Sequence, residues 1–436
     1  MSGLARILLQ KGGTQVSGSD LKSSSVTDQL QQLGATLFLG HRKENLPTNA
    51  TVIISSDIRP DNPELLEAKS RQYPVLHRSD LLCELMQGKE VIAITGTHGK
   101  TTTTSLLTHV LHEAGTDPTY VVGGIVRNRG TNAHYGVGPY FVAEADESDG
   151  TFLKYPYDHA IVTNIDSDHL AHFGSMEALQ EAFGAFMQKS PEKKRLFYCG
   201  DDFRLQAMNP PGLSYGFSEG CAARILSTDH QQTEVSWCIQ FDGKRYDSVF
   251  VPLMGRHNIL NSTAVFCLAL QLGIPEEAIR KSFSSFLGAK RRLERREAAA
   301  CFVFDDYAHH PTEIRATLSA LRQAVGKKPI IAVFQPHRPS RMKRVLHEFT
   351  DAFADADKVV ITELYLSNEP AEGISNAQIA ETISKANPSK PFYTIARSHL
   401  VSSLRTLVGE NDVVLFLGAG DITKASEEFA DFMKRG

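Results

Sequence analysis

Gly96-Thr97-His98-Gly99-Lys100-Thr101-Thr102 follows directly on the apolar, β-branched run Val91-Ile92-Ala93-Ile94-Thr95. A buried strand, a glycine turn and a helix start form an anion cradle, because free backbone N–H groups and the helix dipole both favour phosphate. Side chains at the glycine positions would block a close approach of backbone to ligand. Lys100 has the reach to meet the terminal phosphates of a nucleoside triphosphate, and the Thr101 hydroxyl suits a Mg²⁺ ligand. Only Thr97 and His98 separate the two glycines, where the general phosphate loop has four residues. An ordinary strand-to-helix turn is the alternative reading.

Two acidic segments are candidates for the metal. Glu144, Asp146, Glu147 and Asp149 put four carboxylates behind the apolar run Phe141-Val142-Ala143. A solvated acidic turn is the bland reading of such a cluster. The carboxyl end of a buried parallel strand is, however, where these sheets place ligands, and Mg²⁺ takes oxygen donors. Thr163-Asn164-Ile165-Asp166-Ser167-Asp168-His169 follows a second apolar run, Ala160 to Thr163. His169 there is either a metal ligand or a structural histidine.

The elements that hold these groups alternate between strand and helix. Helices are predicted over 2–10, 26–33, 63–71 and 79–87, with strands over 15–18, 36–39 and 51–55. That alternation predicts a mostly parallel, doubly wound α/β sheet in a first section ending near residue 88. A central section, 89–287, opens with the 91–95 strand, holds alternating, turn-rich sequence over 225–252 that suits antiparallel edge strands, and continues into a helix over 258–272. A third section, 288–436, has strands predicted at 301–305, 330–334, 358–362 and 413–417, each followed by a helical pattern.

Composition narrows the class. The chain has 436 residues, 42% of them hydrophobic and 22% charged, with a formal net charge of -4. That balance gives no drive toward nucleic acid. The six cysteines lack metal or redox spacing and read as small buried hydrophobes in a reducing compartment. No apolar run approaches the roughly 20 residues that span a bilayer, and Met1 to Leu9 carries Arg6 inside its short apolar stretch. A cytoplasmic location is expected. The basic run Lys290 to Arg296 is broken by Glu294, so Arg295 and Arg296 are expected on a solvated face.

Taken in order, ten segments resemble the Mur ligase family across essentially the whole chain. They are Ser17 to Asp20; Asp61-Asn62-Pro63-Glu64 after Ser55-Ser56; Gly96 to Thr102; Ala143 to Asp149; Thr163 to His169; Gly255-Arg256-His257-Asn258; Arg291-Arg292; Asp305 to Glu313; Phe334-Gln335-Pro336-His337-Arg338; and Gly418-Ala419-Gly420. The resemblance implies three α/β domains: a Rossmann-like UDP-binding domain (1–88), a central P-loop ATPase domain (89–287) and a C-terminal Rossmann-like amino-acid-binding domain (288–436). It implies ATP bound by Gly96, Thr97, His98, Gly99, Lys100, Thr101, Thr102, His257, Asn258 and Asn261, and Mg²⁺ held by Thr101, Glu144 and His169. It assigns substrate to Asp20, Ser55, Ser56, Arg291, Tyr307, His337 and Arg338, and catalysis to Lys100, His309, Arg292 and Arg341. The run Gly150-Thr151-Phe152-Leu153 and Tyr307 resemble the member that adds L-alanine to UDP-N-acetylmuramate, rather than the one that recycles a muramyl tripeptide. Expected partners are those two substrates, with no nucleic acid and no membrane insertion, in a monomer or homodimer. The family pattern also has a strand and a glycine-rich loop ahead of Met-Ser-Gly-Leu-Ala, and Asn where Asp421 stands here.

The implied chemistry is attack of the lactoyl carboxylate on the γ-phosphate of ATP, giving an acyl phosphate that the amine of alanine then opens. His309 is either the group that orients or deprotonates that amine, or half of a histidine pair that only packs the loop.

Overall fold

The computed structural model describes residues 1–190, 192, 195–231, 234–367, 369–371, 373–388 and 390–435. They form two compact units. One comprises Met1–Ser227, Cys238–Val249 and Leu260–Leu287, the other Thr228–Trp237, Phe250–Ile259 and Gly288–Gly436.

In the first unit the strand Glu90–Thr95 lies between Tyr140–Glu144 and His159–Val162, parallel to both, with Ile94 opposite Glu144 on one side and Ile161 on the other. Both faces of this strand are covered, which is why its sequence is continuously apolar. Ile92, Ala93 and Ile94 are fully buried. The sheet extends outward through Thr119–Val126 and Thr131–His134 on one flank, and through Leu196–Cys199 and Leu213–Gly216 on the other. The order of that sheet continues through Ala223–Gln231, Glu234–Phe241 and Lys244–Val251, the turn-rich stretch expected at an edge, of which residues 228–237 and 250–251 are counted with the other unit.

The helix Lys100–Glu113 begins with a run of threonines, poor helix formers because their branched side chains crowd the preceding turn. Burial against the sheet overrides that preference. Thr103 and Thr104 donate their hydroxyls to the carbonyls of Gly99 and Lys100, both at 2.8 Å, so neither hydroxyl is left unpaired.

The N-terminal section differs from expectation. In place of one sheet it has two separate parallel pairs, Ser17–Asp20 with Thr36–Leu39 and Val52–Ile54 with Val75–His77. These strands are three or four residues long and only partly covered, and among the described residues no strand joins the two ladders.

The second unit holds a six-stranded sheet in the order Glu294–Arg296, Phe302–Asp306, Val413–Leu417, Ile330–Phe334, Lys358–Ile361, Phe392–Thr394. Its first pair is antiparallel and the rest parallel. Side chains alternate between two cores: Val303, Ile331, Val333, Val414 and Phe416 on one face, Phe304, Ile330, Ala332, Phe334 and Leu415 on the other. Phe334 packs its ring 5.3 Å from Phe349 and 5.6 Å from Phe353. Burying each such ring contributes about 1.5–3 kcal/mol.

Arg296 corrects the sequence reading, whereas Arg295 is exposed as expected. They lie on a strand, and Arg296 donates to the buried Asp305 carboxylate at 2.7 Å while Arg295 sits over the Phe302 ring. A charge run inside a strand puts alternate residues on opposite faces, so one arginine of the pair is drawn inward to a buried acid. All six cysteines are free; Cys199, Cys267 and Cys301 are buried and Cys83, Cys221 and Cys238 partly so. Among the described residues no helix is long and apolar enough to cross a membrane.

Candidate active site

The loop after Glu90–Thr95 is braced by the second acidic motif. Thr97 and His98 donate their amides to the backbone carbonyl and side-chain oxygen of Asn164, at 3.0 and 2.9 Å. Thr163 and Asn164 return bonds to the His98 carbonyl at 2.6 and 2.9 Å, and the Asp166 amide donates to Thr97 Oγ1 at 2.9 Å. Gly96 has φ 124°, and Gly99, at 85°, caps the helix that starts at Lys100. An added Cβ at Gly99 would lie 2.8 Å from Asn261 Oδ1. This places Asn261, three residues beyond Asn258 on the helix Arg256–Gln271, against the loop. His257 and Asn258 stand on the first turn of that helix, where Asn258 donates to the Met254 carbonyl at 2.8 Å.

Thr101 and Glu144 meet: the hydroxyl donates to Glu144 Oε1 at 3.0 Å, and Gly123 N–H donates to Oε2 at 2.7 Å. An oxygen pair of this kind, at the N-terminus of a buried helix, fits a Mg²⁺ ligand set. His169, with φ 58°, faces Glu147 and Asp168 instead, its Nε2 3.7 Å from an oxygen of each. Asp146, Glu147 and His169 bring ligating atoms within 4.8 Å of one another. Glu147, read from sequence only as one of four clustered acids, and Asn164 thus join the candidate site residues.

Burial works against the Lys100 charge, but Glu147, Asp146 and Glu144 outweigh it and its pKa lies above the ordinary lysine value. Burial raises the Glu144 carboxyl, with Lys100 opposing. Asp146 is also buried, yet Lys100, Ser148 and His169 hold it below the usual carboxylate range.

Of the residues assigned to substrate in this unit, Asp20 is exposed at the end of its strand, its carboxylate accepting from Lys22 N–H at 3.1 Å and its backbone carbonyl from Gly40 N–H at 2.8 Å. Ser55 follows the strand Val52–Ile54. Ser56 donates to Asp149 Oδ2 at 2.6 Å and lies 3.0 Å from His77 Nε2. Arg78 binds the same Asp149 oxygen at 2.6 Å. The acidic turn thus reaches the loop that carries Ser56 as well as Lys100.

In the second unit the remaining residues gather at the carboxyl ends of adjacent parallel strands, the usual ligand position in such sheets. Arg291 and Arg292 lie 5.1 and 5.2 Å from the Tyr307 ring centre. Arg291 also binds the Gly418 carbonyl, and Arg292 sits 3.8 Å from Glu313. Asp306 accepts from the amides of Leu293 and Ala308 at 2.6 and 2.7 Å. Burial nevertheless lifts its pKa to about 6, with Arg292 opposing. His310 caps the helix Pro311–Val325, which gives it a structural role. His309 precedes it, its Nδ1 3.0 Å from the Tyr307 carbonyl and 3.5 Å from Glu313, and its ring meets Tyr307 edge-on at 5.4 Å and His337 at 5.5 Å. Arg338 has φ 62° and caps the helix Pro339–Val345, on which Arg341 is buried. Asp421 accepts from Gln335 Nε2 at 2.8 Å, fixing the amide that also receives Ile422 N–H.

His337 stacks on Tyr365 at 5.6 Å with the rings 7° apart. Burial, then the charges of His309, Arg341, Arg338 and Arg291, depress its pKa from 6.5 to about 3. Below pH 6.5 the unfolded chain takes up a proton here that the folded protein refuses. Stability from this group is therefore complete above pH 6.5 and is lost as pH falls toward 3, with a slope of at most about 1.4 kcal/mol per pH unit. Thermal melts between pH 7 and 4 are expected to show a shallower acid-side decline for His337→Phe, which keeps a stacking ring, than for the parent. Identical slopes would remove this histidine from the acid response.

Comparison with known proteins extends over the same segments. Residues 1–90 match the Mur ligase family catalytic domain, 94–269 the Mur ligase middle domain, and 291–420 the Mur ligase glutamate ligase domain. The UDP-N-acetylmuramate–L-alanine ligase of Protochlamydia amoebophila is 46% identical over 100% of this chain and 96% of its own length. The bifunctional enzyme MurC/Ddl of Chlamydia trachomatis is 43% identical over 99% of this chain, which spans 53% of that longer protein. The crystal structure of the UDP-N-acetylmuramate–alanine ligase of Thermotoga maritima superimposes with a TM-score of 0.82 at 29% identity, covering 96% of this chain and 93% of that one. A murein peptide ligase from Psychrobacter arcticus shares the fold, with a TM-score of 0.73 at 21% identity over 100% of this chain and 97% of that one. With three consecutive domain matches and a relative at 46% identity covered over 96% of its length, this chain belongs to the Mur ligase family.

Proposed function

We propose that the loop Gly96–Thr102 grips ATP and hands its terminal phosphoryl group to a sugar-linked acid. The chain is an ATP-dependent ligase that joins L-alanine to the lactoyl carboxylate of UDP-N-acetylmuramate, releasing ADP and phosphate, in peptidoglycan precursor synthesis. The observation that carries the reading is the placement of Lys100 and Thr101 on the first turn of a buried helix, with Glu144 3.0 Å from the Thr101 hydroxyl.

A carboxylate does not condense with an amine unaided, because oxide is a poor leaving group. Transfer of the γ-phosphoryl group makes an acyl phosphate, from which phosphate leaves when the amine attacks. No protein nucleophile is required, so catalysis rests on positioning and charge stabilisation. Lys100 and the helix N-terminus balance the charge that develops on the phosphoryl oxygens. Mg²⁺, when bound by Thr101 and Glu144 with His169 nearby, supplies further positive charge to the phosphates. Arg292 and Arg341 suit clamps for carboxylate or phosphate, since guanidinium binds either through two parallel bonds. His309 is assigned to the incoming amine. His257, Asn258 and Asn261 are assigned to adenine, and Asp20, Ser55 and Ser56 to the UDP moiety. The domain division proposed is 1–88, 89–287 and 288–436, with the cytoplasm, where ATP is made, as the compartment and a monomer or homodimer as the working form.

Purified protein given UDP-N-acetylmuramate, L-alanine, ATP and Mg²⁺ is expected to release ADP only when all are present. A failure to consume ATP under those conditions would overturn the reading. Faster turnover with a muramyl tripeptide than with alanine would transfer it to the recycling reaction.

A further inference from the structure

Lys100 has no N–H to spare. Its ammonium donates to the Gly96 carbonyl at 2.6 Å, the Thr97 carbonyl at 3.1 Å and the Glu147 carboxylate at 2.8 and 3.1 Å. An ammonium carries three hydrogens, and three acceptor groups occupy them. A phosphate oxygen therefore reaches this lysine only by displacing one of the three. The two carbonyls belong to the loop that must hold the phosphates. The carboxylate comes from outside it.

Glu147 is fixed where it stands. It is completely buried, and the turn that carries it is tied on both sides. Asp146 accepts from Ser148 N–H and Oγ at 3.2 and 2.7 Å, and Gly150 N–H returns to the Glu147 carbonyl at 2.9 Å. Asp149 is anchored by Ser56 and Arg78. The lysine, on a flexible four-carbon stem, is the partner that can move.

We propose that Glu147 is the resting partner of Lys100 and a positioning residue for it, and that the terminal phosphates of the nucleotide must take its place. Binding exchanges one ion pair for another. A buried carboxylate left without its counter-charge is strongly disfavoured, so the lysine is released only to a ligand that brings several negative charges of its own. The vacated carboxylate is then left facing His169, whose Nε2 lies 3.7 Å away. The device favours triphosphate over monophosphate before any chemistry occurs. It rests on the assignment of Gly96–Thr102 as the nucleotide cradle.

The test is a calorimetric titration of the full chain and its Glu147→Gln variant with a β,γ-imido ATP analogue and with AMP, in EDTA so that no metal contributes. Without the competing carboxylate the variant is expected to bind the analogue at least tenfold more tightly than the parent. AMP affinity is expected to stay unchanged, because a single phosphate stops short of the lysine. Equal or weaker binding of the analogue, or a parallel shift for AMP, would overturn the proposal. If the parent itself bound neither nucleotide, the cradle assignment would fall instead. Should Glu147→Gln not fold, Glu147→Asp keeps the charge but withdraws it by one methylene, and is expected to shift analogue binding in the same direction with AMP again unmoved.

Discussion

Lys100→Ala loses ligation: alanine-dependent ADP release is expected to drop by roughly 10²–10³-fold or more, the range seen when one charge-stabilising donor is removed from a phosphoryl or acyl transfer site. The effect has two sources that separate experimentally. The first is catalytic, since no other ammonium occupies the first turn of the helix Lys100–Glu113. The second is structural. Glu147 is fully buried and Glu144 and Asp146 face the same lysine, so truncation strands three carboxylates without their cation. Removing one partner of a buried pair costs about 3–5 kcal/mol. Lys100→Ala is therefore expected to melt well below the parent. Adding Glu147→Gln to it should recover much of the melting temperature and none of the turnover. Retention of a tenth of the parent rate by the single variant would remove Lys100 from the reaction.

Gly96→Ala is expected to be nearly as damaging by a different route. A Cβ built there lies 2.1 Å from Thr163 Oγ1 and 2.9 Å from both the nitrogen and oxygen of Asn164. Neither neighbour can yield cheaply. Thr163 is bonded to the His98 carbonyl, and the Asn164 carbonyl receives Thr97 N–H. The backbone also sits at φ 124°, a region closed to L side chains. Strain of about 1–3 kcal/mol adds to an overpacking penalty of similar size. Nucleotide affinity is expected to weaken by about 10²-fold or more, with a lowered melting temperature. Gly115→Ala is the matched control, because it too has a left-handed φ, 77°, but nothing lies within 4 Å of its Cβ. Nucleotide titration of the two variants side by side would settle the matter: equal affinities would mean that backbone strain alone, and no steric contact at the cradle, sets the outcome.

How far the sequence foretold this arrangement depends on the element. The strands over 36–39, 330–334 and 413–417 fall where the apolar runs place them, and the phosphate loop sits between strand and helix as its glycines require. No strand is predicted over Thr119–Val126, where Gly123 and Gly124 interrupt the apolar run. Those glycines are there for the site. A Cβ on Gly123 would meet the Glu144 carboxylate at 2.8 Å, and one on Gly124 would meet the Thr101 methyl at 2.9 Å. Leu196–Cys199 and Leu213–Gly216 are four residues each, too short for periodicity to register. Arg296 was read as solvated because its buried partner, Asp305, is nine residues away on the next strand and only the pairing reveals it. Glu147 is one of four clustered acids that sequence does not tell apart. Sequence shows that carboxylates cluster there, but only the backbone path decides that Glu144 turns to Thr101, Glu147 to Lys100 and Asp149 to Ser56.

That path makes the stretch from Glu144 to Asp149 a ruler. Three of its four acids, Glu144, Glu147 and Asp149, are spaced so that each lands on a different neighbour, one of them across on the loop after Val52–Ile54. Shortening or lengthening it by a single residue would put all three out of step together. Length is thus a stricter requirement in this segment than the identity of Ala145 or Ser148 between the acids.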